Sequence, residues 1–129
     1  IDNEDWLIKF RSSLDPKDIG LIEYAYHLMA KEAGLSLKEA KLFPSRNGYG
    51  FFGVKRFDRN GDKRIHMHTI AGLLHADHRE PLLDYENIMR ATMYLTRDTK
   101  QHEVQFRNAV FNILSHNRDD HSKNFSFLM

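Results

Sequence analysis

The carboxyl-terminal stretch from His116 to Met129 is the feature that most constrains how this chain can fold. It places one arginine, two aspartates, a histidine, a lysine and an asparagine within residues 118–124. The apolar alternation of Phe125, Phe127 and Met129 follows, and it predicts a strand that lacks its partner. A short polar loop between two ordered elements is a common place for catalytic and binding groups.

A helix is predicted to lead into this loop. Apolar residues recur there at the spacing of one helix face over residues 100–115, namely Phe106, Val110, Ile113 and Leu114. We expect this stripe to be core that anchors the loop, because a catalytic group on a loosely held support loses its alignment. An earlier helix is predicted from about Asp84 to Leu95, after a break at Pro81.

The spacing of Arg118, Asp119 and Asn124 is similar to that of the catalytic loop of protein kinases. In those enzymes an aspartate accepts the proton of the substrate hydroxyl, and an asparagine five residues on holds magnesium. A short loop suits this chemistry because it keeps the base and the metal ligand in one rigid frame. Asn117 stands where kinases have a histidine.

The longer string from Asp119 to Ser126 closely resembles the D-x-H-x-K-N-F-S loop of HipA-like serine/threonine kinases, the toxin components of bacterial toxin–antitoxin pairs. The resemblance implies ATP and Mg²⁺ as cofactors, with Asp119 as the catalytic base and Asn124 as a magnesium ligand. It places His121 and Lys123 near the phosphates. It also implies a protein substrate and an antitoxin partner with a DNA-binding domain. In the alternative interpretation, the aspartates cap a turn, and His121 and Lys123 are solvated.

An amino-terminal strand and helix supply a second pair of candidate residues. The run from Trp6 to Phe10 predicts a buried strand that carries Lys9. A helix is predicted with Asp15 as its N-cap and Gly34 at its end, and Glu23 lies on it. Kinases pair a strand lysine with a glutamate on the next helix, so the resemblance implies that Lys9 pairs with Glu23 and neutralises phosphate oxygens. Otherwise Lys9 is an edge-strand lysine and Glu23 an exposed helix charge.

Two antiparallel strands and a connector are predicted next. Residues 38–43 and 49–57 alternate as strands around a hairpin signal at 46–48, and Gly50 and Gly53 are interpreted as places of close backbone approach.

The connector from Val54 to Arg59 resembles the V-E-R-F-D-R segment of the HipA family, whose backbone groups receive the adenine. The resemblance implies a nucleotide-binding role for Lys55 and Phe57. Lys55 stands where the family has a glutamate, so a carboxylate contact to the adenine or ribose would be lost while backbone hydrogen bonds would remain. Alternatively, the charges of this segment are ordinary exposed charges near a turn.

The order of these elements is that of a kinase from its lysine strand to its catalytic loop, and the resemblance covers essentially all 129 residues. We expect an α+β, protein-kinase-like fold that is partial. Residues 1–57 would supply antiparallel strands and one helix of the small lobe, and residues 58–129 a helical part of the large lobe. We expect the chain to be a fragment, inactive alone, of a protein that transfers the γ-phosphate of ATP to a serine or threonine hydroxyl of a protein.

Four histidines raise a different hypothesis. His66 and His68 are predicted on one face of a strand over residues 64–68, and His75 and His78 follow. One His-x-His and one His-x-x-His are a weak zinc signature. A metal-dependent phosphohydrolase therefore stays open, although the chain has no His-Asp dipeptide. A small-molecule or lipid kinase also stays open, as does a non-catalytic pseudokinase or interaction module.

Composition bounds the partners. Nineteen basic and eighteen acidic side chains give a formal net charge of +1, which provides no large positive field for a nucleic-acid backbone. The absence of cysteine excludes disulfides and thiolate metal sites and fits a reducing cytosol. No apolar run reaches the ~18 residues that span a bilayer, and no signal peptide opens the chain. We therefore expect a cytoplasmic protein that binds neither nucleic acid directly nor a membrane.

Overall fold

The structure, a computed structural model, describes residues 4–46, 48–74, 84–117 and 122–129. The fold is α+β with antiparallel sheets, as predicted, and it is compatible with part of a kinase-like fold. The chain forms two compact units, Ile1–Lys63 and Arg64–Met129. The lobe boundary after residue 57 stays a prediction.

The first unit contains a three-stranded antiparallel sheet. Its strands are β1 (Trp6–Ile8), β2 (Ala40–Phe43) and β3 (Phe51–Lys55), in the order β1-β3-β2. The central position of β3 requires a glycine, because a Cβ on Gly53 would overlap the Phe43 ring of β2. The predicted close backbone approach is confirmed at Gly50, where a Cβ would stand 2.9 Å from the carbonyl oxygen of Phe43, whereas the neighbour of Gly53 is a side-chain ring. The predicted burial of the first strand is wrong, because Leu7 is 44% exposed and Phe10, just beyond the strand, is 73% exposed.

Helix α1 (Ile19–Glu32) packs on β2 and β3. The prediction that Asp15 caps this helix is wrong. The carboxylate of Asp15 accepts a hydrogen bond from the backbone N–H of Ser12 at 2.8 Å, and Asp18 occupies the N-cap position. Aspartate side chains often accept hydrogen bonds from nearby backbone groups, and here such a bond keeps the Asp15 carboxylate from capping the helix. The predicted end at Gly34 is confirmed, since Gly34 has φ +80° and the N–H of Leu35 donates to the carbonyl of Ala30.

A small two-stranded sheet follows the connector. It consists of β4 (Arg59–Asn60) and β5 (Lys63–Arg64), with Gly61 at φ +58° between them. The turn predicted for this segment is therefore present, but the strand predicted over residues 64–68 is not continuous. β6 begins only at Met67.

The second unit joins two distant segments of the chain. β6 (Met67–Thr69) pairs antiparallel with β7 (Ser126–Leu128), and Met67 lies opposite Leu128. The carboxyl-terminal strand was predicted without a partner, and that prediction is wrong. The short helix α2 (Ile70–Leu73) follows β6, and its first N–H donates to the carbonyl of Phe125 at 2.9 Å. These bonds fix the segment directly after the polar loop.

Two longer helices complete the second unit and pack on each other: α3 (Tyr85–Thr96) and α4 (Thr99–Leu114). Both were predicted, and each begins at an aspartate whose carboxylate accepts a backbone N–H. Ile88 of α3 and Ala109 of α4 are buried. The apolar stripe of α4 is not core as predicted, because Phe106, Ile113 and Leu114 are 58%, 60% and 73% exposed. None of the helices in the described segments is both long and apolar enough to cross a membrane.

Candidate functional site

Lys9 and Glu23 form an ion pair between the sheet and α1. Lys9 directly follows β1, and its backbone N–H donates to the carbonyl of Phe52 at 2.9 Å. The ammonium of Lys9 lies 2.8 Å from the Glu23 carboxylate, and the two side chains are 56% and 26% exposed. A solvent-exposed pair of this kind contributes only about 0.2–1 kcal/mol to stability. Its structural effect is to aim an ammonium group at one place on the α1 side of the sheet.

Glu23 reaches Lys9 because the first turn of α1 lies very close to the loop before β3. A Cβ on Gly20 would stand 2.5 Å from the carbonyl oxygen of Gly50 and 3.2 Å from the backbone nitrogen of Phe52. Both obstacles are backbone atoms, which cannot rotate away. A glycine at position 20 therefore sets the distance between α1 and the sheet, and with it the position of Glu23.

A pocket of about 520 Å³ opens beside this ion pair. Its wall is formed by the end of β1, the first turn of α1 and the loop before β3, and it includes Lys9, Arg11, Lys17, Glu23 and Tyr49. The volume lies within the range of roughly 300–1,000 Å³ that is usual for small-ligand pockets. All of these residues belong to the first unit.

The connector after β3 is held by a cluster of charges around Asp58. The guanidinium of Arg56 donates two hydrogen bonds to the Asp58 carboxylate, at 2.8 and 2.6 Å, and Arg59 donates a third at 2.6 Å. Because the Arg56 guanidinium holds the carboxylate in its charged form, the pKa of Asp58 falls to about 2. The backbone N–H of Arg56 also donates to the carbonyl of Asp5 at 2.9 Å. Phe57, between the arginines, is 44% exposed.

Lys55 does not join the Lys9–Glu23 pair. Its ammonium lies 2.6 Å from Glu39 and 2.7 Å from Glu4, and hydrogen bonds to these carboxylates raise its pKa. Phe52 faces α1, and strand side chains alternate, so Lys55 three positions on lies on the opposite face of the sheet. It shares that face with Trp6, its partner in the β1–β3 register, and its ammonium is 5.7 Å from the indole centroid.

The polar loop is described only in its last part. Asp119 and His121 lie outside the described residues. Lys123 and Asn124 belong to a 3-10 turn over Ser122–Asn124, and both are exposed. This turn contacts β6 and α2 and leads directly into β7. The described end of the loop is thus held by the β6–β7 pairing, while Asn117, the last described residue before it, donates hydrogen bonds to Asn112 at the end of α4.

Comparison with known families gives one match. The model of the HipA-like C-terminal domain family matches residues 1–129. The chain belongs to this family. The match spans the whole sequence, so both the Lys9–Glu23 pair and the polar loop lie within the HipA-like domain. No match was found among curated proteins.

The histidine hypothesis finds limited support in this HipA-like domain. The rings of His66 and His68 are close, with centroids 6.1 Å apart. His75 and His78 lie outside the described residues. Within residues 4–46, 48–74, 84–117 and 122–129, no group of three or more histidines, aspartates or glutamates is arranged to hold a metal ion.

Two residues with a structural effect on the site were missed by sequence reasoning. Asp58 anchors both arginines of the connector, and the signal was the alternation of charge in Arg56, Asp58 and Arg59. Gly20 sets the distance between α1 and the sheet. The signal in the sequence was a glycine within the first helical turn, where most residues would stabilise the helix more.

Proposed function

We propose that the full-length protein carrying this HipA-like domain is a serine/threonine kinase that transfers the γ-phosphate of ATP to a hydroxyl of a protein. The observation that carries the proposal is the 2.8 Å ion pair between Lys9 and Glu23. It joins a lysine directly after a strand to a glutamate on the next helix, which is similar to the lysine–glutamate pair that protein kinases require for activity. Membership of the HipA-like family supports the same conclusion.

In this proposal Lys9 binds phosphate oxygens, and Glu23 holds its ammonium in position. A lysine is a flexible point charge with about 2 kcal/mol of rotamer entropy, so a fixed carboxylate partner reduces the cost of ordering it on the ligand. The exposure of the Lys9 side chain leaves its ammonium accessible to a ligand while it is paired. The connector then provides backbone groups for the adenine, and Asp58 holds its two arginines in place.

The polar loop supplies the reacting groups. Asp119 accepts the proton of the serine or threonine hydroxyl, and the hydroxyl oxygen forms a bond to the γ-phosphorus. The bond between that phosphorus and the β-γ bridging oxygen breaks, which releases ADP. Asn124 offers an amide oxygen, a ligand type that Mg²⁺ accepts, and Mg²⁺ would neutralise charge on the phosphates. Lys123 and His121 lie beside these residues in sequence and add positive charge or hydrogen-bond donors toward the phosphates.

Membership of the HipA-like family also supports an interaction with a partner protein. We propose that the full-length protein acts as the toxin of a toxin–antitoxin pair and that its antitoxin carries the DNA-binding domain. The domain itself has a net charge of only +1, so direct binding to nucleic acid is not part of the proposal.

Replacement of Glu23 tests the kinase proposal. In the full-length protein, Glu23→Gln keeps the side-chain volume but removes the charge that holds Lys9. We expect kcat/KM for ATP to fall by about 10²-fold, the cost of a misplaced reacting group. The assay uses γ-³²P-labelled ATP, bacterial lysate protein as acceptor, and phosphoamino-acid analysis of the labelled protein.

Glu103→Gln is the matched control. Glu103 forms an ion pair of the same length, 2.8 Å, with Arg107 on the exposed surface of α4. This variant should retain activity within about twofold, since exposed pairs contribute little. Unchanged kcat/KM in Glu23→Gln would contradict the role of the ion pair. Label that appears in small molecules or lipids but not in phosphoserine or phosphothreonine would contradict the protein substrate.

A further inference from the structure

The pocket beside Lys9 and Glu23 lies at the end of the sheet that is far from the connector. β3 runs antiparallel to β1, so Phe51 packs against Phe10, with ring centroids 5.1 Å apart, while Lys55 lies opposite Trp6. The five residues of β3 separate these ends by roughly 15 Å at about 3.3 Å per residue. A ligand held by the connector and a ligand in the pocket therefore approach Lys9 from opposite ends of the sheet.

The pocket wall carries more cationic than anionic side chains. Arg11 and Lys17 line it, and neither forms an ion pair with any residue that the structure describes. The wall also holds two carboxylates: Glu23 pairs with Lys9, and Asp15, which accepts the N–H of Ser12, keeps its negative charge and attracts Arg11, so three cations face two carboxylates. The first turn of α1, the positive end of the helix dipole, carries no acidic residue.

Exposed aromatic rings stand beside these cations. Phe10 is 73% exposed and Tyr49 is 62% exposed, and both line the pocket. A charged pocket with aromatic rings at its rim can bind a peptide that carries both charged and apolar side chains.

We propose that this pocket binds an acidic segment of a partner protein. Carboxylates of the segment pair with Arg11 and Lys17, and an aromatic or aliphatic side chain packs against Phe10 and Tyr49. The volume of about 520 Å³ accommodates a few side chains. A long polyanion fits less well, because outside the Lys9–Glu23 pair the wall offers only Arg11 and Lys17 as cations, whereas nucleic-acid binding depends on many phosphate contacts.

Binding of a short probe peptide tests the pocket directly. The probe is a fluorescein-labelled pentapeptide with a central tyrosine and two aspartates on each side, and its control has asparagines in place of the aspartates. Fluorescence anisotropy with the protein should show at least a tenfold preference for the acidic probe. Addition of salt should weaken binding, since both expected ion pairs are exposed to solvent.

Charge-removing variants locate the binding. Arg11→Gln combined with Lys17→Gln should weaken the acidic probe by about tenfold, the loss expected from two exposed ion pairs. Lys38→Gln, at an exposed lysine that does not line this pocket, is the matched control and should leave binding unchanged. Both changes are at the surface, and the fluorescence of Trp6 verifies that the first unit stays folded.

Three results would overturn the proposal: equal affinity for the two peptides, no loss in the double variant, or displacement of the probe by a single-stranded DNA decamer at lower concentration than by unlabelled peptide. Nucleotide binding does not enter this test. The pocket proposal therefore can fail while the kinase proposal stands, and the reverse also holds.

Discussion

Replacement of Gly20 by alanine tests whether α1 rests on the loop before β3. On helix propensity alone this change should stabilise the protein, because alanine in a helix is favoured over glycine by about 1 kcal/mol. The contact predicts the opposite sign. The new Cβ would stand 2.5 Å from the carbonyl oxygen of Gly50, whereas ordinary van der Waals contact begins near 3.4 Å.

The helix must therefore move back by about 0.9 Å, or the backbone of Gly50 must yield. Inserting a methyl group into a well-packed contact costs typically about 1–3 kcal/mol. Because the overlap is with backbone atoms that cannot rotate away, the upper part of this range applies, about 2–3 kcal/mol, and the gain in propensity leaves a net loss of roughly 1–2 kcal/mol. Moving α1 outward also lengthens the 2.8 Å contact between Glu23 and Lys9.

Urea unfolding followed by the fluorescence of Trp6 measures this loss. Trp6 is the single tryptophan and lies in β1, so its signal reports on the first unit alone. Gly34→Ala is the matched control at the other end of α1. It introduces strain at φ +80° but meets nothing within 4 Å. Because the strain at Gly34 also lowers stability, the two variants are compared at equal stability of the first unit, where hydrogen exchange in β3 should be faster in Gly20→Ala than in Gly34→Ala. A Gly20→Ala protein as stable as the parent would refute the close contact.

Four further outcomes are expected. The ion pairs of Asp58 should stop stabilising the protein as the pH falls from 3.8 toward 2, because the pKa of Asp58 in the folded protein, about 2, lies below its ordinary value. In Asp58→Asn, the urea midpoint should depend less on pH over that range. Lys55→Glu should lower the urea midpoint more than Lys55→Gln, since a carboxylate there faces two others. Ile88→Ala should cost about 2–5 kcal/mol and Ile113→Ala less than about 0.5 kcal/mol by circular dichroism; equal losses would contradict the exposure of the α4 stripe. Asp119→Ala in the full-length protein should abolish phosphoryl transfer and leave ATP affinity within about twofold, and normal turnover would exclude Asp119 as the base.

Local signals in the sequence were sufficient for most elements. The aspartates before α3 and α4 and the glycine after α1 mark helix ends through bonds that span only a few residues. The pairing of Lys9 with Glu23 was predicted from a resemblance, and the structure brings the two side chains together. The roles of these residues in binding ATP stay predictions.

The errors arose where a partner lies far away in the chain or competes locally. The α4 stripe has helical spacing, but spacing does not tell whether another element covers it, and Ile113 is 60% exposed. The partner of β7 is β6, which no periodicity near β7 could reveal. Asp15 had the sequence context of a helix N-cap, but its carboxylate accepts a hydrogen bond from the backbone N–H of Ser12 instead. The predicted nucleotide-binding role of Lys55 is not among these errors and stays a prediction; its side chain lies on the face of the sheet that carries Trp6.

The pairing of Met67 with Leu128 also determines when β6 can form its hydrogen bonds during synthesis of the chain. A ribosome adds about 5–20 residues per second, so the roughly sixty residues between these positions take some 3–12 s to synthesise. In the later part of that interval β6 has emerged from the ribosome while the strand that completes its hydrogen bonds has yet to be made. An incomplete β edge of this kind attracts other chains. Newly made molecules thus pass through a period in which protection by a chaperone, or rapid burial by neighbouring segments, decides whether they mature or aggregate.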